Sequence, residues 1–166
     1  ALTLDANTSL VSQGTLSLSS STLGAGAKID LTQSGAGILT IGGMPYTVIN
    51  SLGVEGSVTA TDLQGMNGNL TGFYALGSNI DASPTSGWNA GAGFAPVGTS
   101  NFTAFTGRFD GLGHTITGLS INRPAENNVG LFGYAGYSTP ALIINVGLVN
   151  VSVTGGQSTG ALVGHL

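Results

Sequence analysis

The sequence predicts an all-β fold, a parallel β-helix or β-solenoid carrying a loop excursion. Three observations carry this expectation. Apolar residues come in short pulses of Val, Ile, Leu and Phe rather than at helical spacing. Gly, Ser, Thr and Asn together make 77 of the 166 residues, the material of turns and polar skins. The C-terminal third echoes itself about thirty residues on, and repeats of that length are the mark of stacked architectures.

The short pulses follow the chain in order. Leu2–Leu4, Thr15–Leu18, Lys28–Leu31, Ile38–Ile41, Tyr46–Ile49 and Ser57–Ala60 each alternate apolar and polar residues, as half-buried strands do. Gly-Ala-Gly-Ala, Ser-Gly-Ala-Gly and Gly-Gly lie between them and read as turns. Several strand centres recur at a spacing of 20, among them Leu18 to Ile38 and Leu142 to Leu162. Further on, Ile116–Ile121 is answered by Asn145–Val151, which sets Gly118 against Gly147, and Val129–Gly133 is answered by Thr159–Gly164, which sets Gly130 against Gly160.

A coil of a solenoid cannot bury its apolar side alone, so neighbouring coils supply both its hydrogen bonds and its core. Gly and Asn then take the left-handed corners. The narrow interior favours stacked Leu, Val and Ile and leaves little room for aromatics. The stretch from Pro84 to Phe105, with the single Trp88, breaks the rhythm and reads as an excursion whose aromatics fold over the flank. Three regions follow: coils over 1–62, a coil plus this excursion (about 84–105) over 63–110, and repeat coils over 111–166. A β-sandwich competes, but it has no reason to echo at thirty residues.

Composition narrows the function classes. Three basic against seven acidic residues give a net charge of −4, too little positive charge to hold a phosphate backbone. The absence of Cys removes disulfide frameworks and Cys-zinc sites. No apolar run reaches the ~18 residues of a membrane helix, so no membrane insertion is expected. The 41% apolar content with little charge argues against disorder. Both termini read as cut from a longer chain.

The run Phe105–Ile121 with Asn128–Tyr134, continued by Ile143–Gly155 and Gly160–Gly164, resembles the GLUG-motif modules of large bacterial exoproteins. Upstream, Leu70–Ser83 and Gly87–Gly98 resemble filamentous haemagglutinin-like adhesins, in which such a segment precedes GLUG repeats. The resemblance spans roughly residues 46–166. It implies a right-handed parallel β-helix in a secreted, two-partner-secretion passenger at a Gram-negative cell surface. Its role would be adhesion or biofilm contact, with no enzymatic activity and no cofactor. The implied partners are a glycan or protein receptor on a cell or matrix, together with neighbouring coils or like subunits. The alternatives are a polysaccharide-acting β-helix enzyme and a self-assembling filament subunit.

Candidate chemistry is sparse. Asp110-Gly-Leu-Gly-His114 with Arg108 sets carboxylate, imidazole and guanidinium within seven residues. A tight Asp-Gly turn with an Arg108–Asp110 ion pair explains it without catalysis. Asp62, Asp81, Glu55 and Glu126 stand apart in sequence, whereas a glycosidase needs two carboxyls ~5 Å apart or somewhat more. His114 and His165 sit in no His-Glu-x-x-His motif, and calcium-solenoid repeats are missing, so no metal site is expected. Trp88, Phe94, Tyr74 and Tyr137 are the candidate contact residues, since amphipathic aromatics suit sugar and interface contacts. Asn7, Asn69, Asn101 and Asn150 form Asn-x-Ser/Thr sequons, expected by accident in so polar a chain. Asn67-Gly68 reads as a plain turn.

Overall fold

The computed structural model describes residues 2–4 and 9–166, with side chains from Leu10 onward; the sequon at Asn7 lies outside them. The fold is all-β, with two short 3-10 segments at Gln64–Gly68 and Ser83–Gly91. An N-terminal arm holds β1 (Leu2–Leu4), β2 (Ser9–Ser12), β3 (Leu16–Leu18), β4 (Ser21–Leu23), β5 (Lys28–Leu31) and β6 (Gly35–Ile41). A hairpin turn at Gly42-Gly43 leads into β7 (Met44–Ile49). Both glycines take positive φ, 58° and 77°, as a two-residue hairpin turn demands.

Three passes of chain follow. The first carries β8 (Phe73–Leu76) and β9 (Ile80–Asp81), and the second β10 (Arg108–Asp110), β11 (Thr115–Thr117), β12 (Ser120–Asn122) and β13 (Phe132–Tyr134). The third carries β14 (Leu142–Ile144), β15 (Gly147–Val149), β16 (Ser152–Thr154) and β17 (Val163–His165). Corresponding strands pair in parallel. Tyr74, Phe109 and Ile143 form one row, and Ile80, Ile116 and Leu148 another. β12 pairs with β16 and β13 with β17 in the same sense. Parallel pairing cannot be made by a tight hairpin, so each strand waits a whole pass for its partner.

The pleat divides the six-stranded sheet β14-β10-β8-β7-β6-β3 into two faces. Ile49, Leu76, Tyr74 and Phe109 point to the larger core with Ile116, Ile121 and Leu131. Tyr46, Val48, Phe73 and Ala75 point the other way, where they cluster with Leu18 and Leu39 of the same sheet and with Ile29 and Leu31 of the arm. The larger core is more aromatic than its narrow width led us to expect. Phe94, Phe105, Phe109 and Phe132 are all fully buried, and the Phe105 and Phe132 rings stand 4.8 Å apart.

The segment expected to be an excursion is largely part of the stack. Phe94 donates its N–H to Ser120 O, Val97 bridges to Phe132 and Phe105 to Ala135. Gly93 makes this approach possible, because a Cβ there would lie 2.2 Å from Ser120 O. Ser57–Ala60 is irregular rather than a strand. The Asp62 carboxylate accepts hydrogen bonds from Ser57 Oγ (2.7 Å), Thr59 Oγ1 (2.6 Å) and Gly65 N–H (2.7 Å), which curls the segment despite its alternating pattern.

Two alignments also shift. Leu18 stands opposite Ile41 rather than Ile38. Gly147 stands opposite Thr115 rather than Gly118, while the Val129–Thr159 bridge keeps Gly130 level with Gly160. Asn150 holds the corner that Gly118 holds one pass earlier, both left-handed at φ 52° and 75°. Asn is among the non-glycine residues that adopt that region most readily.

Candidate functional site

Side-chain amides lock the passes together. Asn127 Oδ1 accepts from Gln157 N–H across 30 residues, and Asn79 Oδ1 from Thr115 N–H across 36. Asn67 is more than a turn residue: with Gln64 it pairs to the backbone of Ala95 and Gly98, 31 residues on in each bonded pair counted from Gln64 or from Asn67 to Gly98. These amides were unreadable as partners in the sequence, since their targets are backbone groups a full pass away.

The Asp110–His114 cluster forms a junction between arm and stack, and the expected Arg108–Asp110 ion pair is not made. Asp110 is buried and accepts from Ser21 Oγ, Leu112 N–H (3.0 Å) and Asn145 Nδ2 (2.9 Å). Arg108 instead lies over the Phe73 ring, 5.4 Å from its centre. His114 is fully buried, and its Nε2–H donates to Ile29 O at 2.8 Å. Burial pushes the His114 pKa down. The Ile29 carbonyl and Asp30, 3.8 Å away, pull the other way, and Lys28 adds to the depression. The Asn79 oxygen near Nδ1 would also accept from an imidazolium.

The consequence for pH follows from that sign. Stability from a neutral His114 is present above the unfolded value near 6.5 and declines as pH falls through the lowered folded value. Thermal melts at pH 7.5 and pH 5 should show this loss, and His114→Gln should flatten it. An equal pH slope in the variant would contradict the assignment.

The other described acids are spent on local structure or stand alone. Asp81 accepts from Ser83 N–H at 2.9 Å, which holds its carboxyl below the usual range. Glu126 pairs with Arg123 at 2.9 Å, and Glu55 is exposed. Among the described residues no three His, Cys, Asp or Glu side chains gather as a metal set.

Of the four candidate contact aromatics, Phe94 and Tyr74 are buried in the core, because the passes stack through them. Tyr74 turns its phenol to Asn69 O at 2.8 Å, and burial pushes its pKa up to about 12. Trp88 is half-buried against the larger core. Tyr137 alone is well exposed, at 69%.

Tyr137 borders a cleft of about 370 Å³ with Tyr134, Pro140, Ala141 and Leu166. Tyr134 stacks on His165 of the next pass at 4.4 Å and meets Tyr137 edge-on at 6.5 Å. The loop between Val97 and Phe105, whose ends bridge to Phe132 and Ala135, carries Phe102, 92% exposed. Phe102 was expected to fold back on the flank. It does not, because the turn Ser100–Thr103 closes beneath it through the Thr103 N–H to Ser100 O bond. The corner of Tyr134, Tyr137 and His165, with Phe102 exposed on a neighbouring loop, is therefore the candidate contact site, aromatic and open, with no paired carboxylates among the described residues.

The class these features define is an all-β protein whose short strands pair mostly in parallel, with an exposed aromatic corner. A halomucin of Haloquadratum walsbyi is 46% identical over 110 residues, 62% of this chain and 1% of that protein. A protein of Evansella cellulosilytica described as a Gly-rich membrane protein is 40% identical over 76 residues, 46% of this chain and 8% of that protein. The chain thus spans a small fraction of the length of the relatives it matches. No family model and no solved structure matches it.

Proposed function

We propose that this chain is a β-solenoid segment of an extracellular surface protein, a structural and adhesive module without catalytic activity. The observation that carries the reading is the register of the three passes, strand on strand in parallel, with an exposed aromatic corner on successive passes. Stacking gives length and stiffness, and the corner gives contact. The likeness to a halomucin and to a Gly-rich membrane protein supports a surface setting. The narrower assignment, a GLUG-motif, filamentous haemagglutinin-like adhesin exported at a Gram-negative surface, rests on the motif resemblance alone. Its partners would be a glycan or protein receptor on a cell or matrix, and neighbouring coils. Among the described residues no helix is long and apolar enough to cross a membrane.

The polysaccharide-enzyme reading is weaker. Asp62 and Asp110 are buried and consumed by hydrogen bonds, and the one imidazole near a carboxylate among the described residues, His114, has no exposed surface. The test is adhesion of the purified chain to cells and matrix. The Phe102→Ala/Tyr137→Ala pair should bind at least fivefold less while its circular dichroism stays β-rich, and Trp88→Ala should bind as the parent does. Unchanged binding in the double variant would remove the corner from the account.

A further inference from the structure

A second groove lies on the opposite side of the sheet, and we propose that it is a subsite for the carboxylate of an acidic saccharide, with Arg108 as its anchor. The groove, about 390 Å³, runs between Ser19–Ser21 of the arm and the β6–β7 hairpin, over Tyr46, Arg108 and Leu142. That volume lies within the range of small-ligand sites.

Arg108 is set apart from the other cations. Lys28 pairs with Asp30 at 3.4 Å and Arg123 with Glu126 at 2.9 Å, whereas Arg108 has no carboxylate partner among the described residues. It is exposed, yet its position is fixed from below. Register sets it beside Phe73 on β8 and Leu142 on β14, and its guanidinium lies 5.4 Å from the Phe73 ring centre. Tyr46 backs that ring at 5.6 Å. A guanidinium held over an aromatic ring and steadied by the neighbouring Tyr46 phenol is oriented and still has donors left over, the arrangement that takes a carboxylate.

The walls suit a sugar more than an acidic peptide. Ser19 and Ser20 present hydroxyls that make no hydrogen bond among the described residues, matched to the hydroxyl rim of a pyranose. Met44, 45% exposed, and Leu142, 38% exposed, offer apolar surface for its C–H face. Asp110 also borders the groove, but its oxygens are taken by Ser21, Leu112 and Asn145. Its charge repels an anion from that end and leaves the Phe73 end of Arg108 as the docking position.

This inference rests on the surface-contact reading, and its test separates the two. Nitrogen-labelled protein in physiological salt is titrated with a galacturonic acid trimer, a neutral galactose trimer and inorganic phosphate. The acidic trimer should bind saturably and shift Arg108 Nε and the Ser20 amide, with the neutral trimer and phosphate at least tenfold weaker. Arg108→Gln should lose at least tenfold affinity at unchanged circular dichroism and melting temperature, and Arg108→Lys should fall between. Equal binding of the neutral trimer, equal binding of phosphate, an unaffected Arg108→Gln or shifts confined to the Tyr137 corner would each overturn the proposal. Adhesion that persists in Arg108→Gln without any uronate response would discard this subsite and leave the surface-contact reading standing.

Discussion

Phe109→Ala should destabilise the protein by about 3–5 kcal/mol, the usual cost of emptying a buried aromatic site. Phe109 is fully buried on the middle strand of the stack, between Tyr74 of the pass before and Ile143 of the pass after. Its ring meets Phe132 edge-on at 5.3 Å, and Phe132 in turn meets Phe105 at 4.8 Å. Removing it opens a void that three passes share, and parallel backbone ladders on either side limit collapse into it. Urea unfolding monitored by circular dichroism measures the loss. Phe109→Leu, which keeps most of the volume, should cost less than about 1.5 kcal/mol. An alanine variant within 1 kcal/mol of the parent would mean that the aromatic cluster is not the core.

Gly113→Ala should act on the junction rather than on the core. Gly113 has φ of +84°, where an alanine costs about 1–2 kcal/mol. Its new Cβ would also sit 2.0 Å from Ala27 O, a backbone atom of the arm that no rotamer change can move. The arm must shift, and with it the Ile29 N–H to Leu112 O bond and the His114 Nε2–H to Ile29 O bond. Limited proteolysis should then cut within residues 9–41 much faster, while the stack from about residue 50 onward survives. Gly87→Ala, where a Cβ meets nothing within 4 Å, should stay within about 0.5 kcal/mol of the parent. A Gly113→Ala protein as resistant as the parent would mean that the arm does not dock on this loop.

These two sites mark what the sequence made legible. Apolar pulses located five of the six strands read from them, because alternation is a local property and survives without knowledge of partners. Lys28–Leu31 and Tyr46–Ile49 are found where the pattern sets them. Register is not local. Gly118 and Asn150 do the same conformational work, so matching glycine to glycine misplaced β15 against β11. Ser57–Ala60 alternates like a strand but is captured by one carboxylate, Asp62, whose partners are visible only in three dimensions.

The candidate site was legible in part for the same reason. Tyr137 is exposed as expected, yet Phe94 and Tyr74 are drawn inside by stacking, and Phe102 is pushed out by its turn. An aromatic among glycines carries no mark of which side of a coil it will take. The pairing of Asp110 with Ser21, 89 residues away, likewise belongs to the docking of the arm and leaves no trace in spacing.

The central claim is parallel stacking of successive passes in one register. Interstrand nuclear Overhauser contacts among the backbones of Ile80, Ile116 and Leu148 test it most directly. The account predicts short amide-to-Hα contacts from Ile116 to both of its neighbours, at the ~4.8 Å strand spacing, with Thr117 set against Val149. Contacts of Ile116 with antiparallel partners close by in sequence, as a sandwich of hairpins would give, would contradict it.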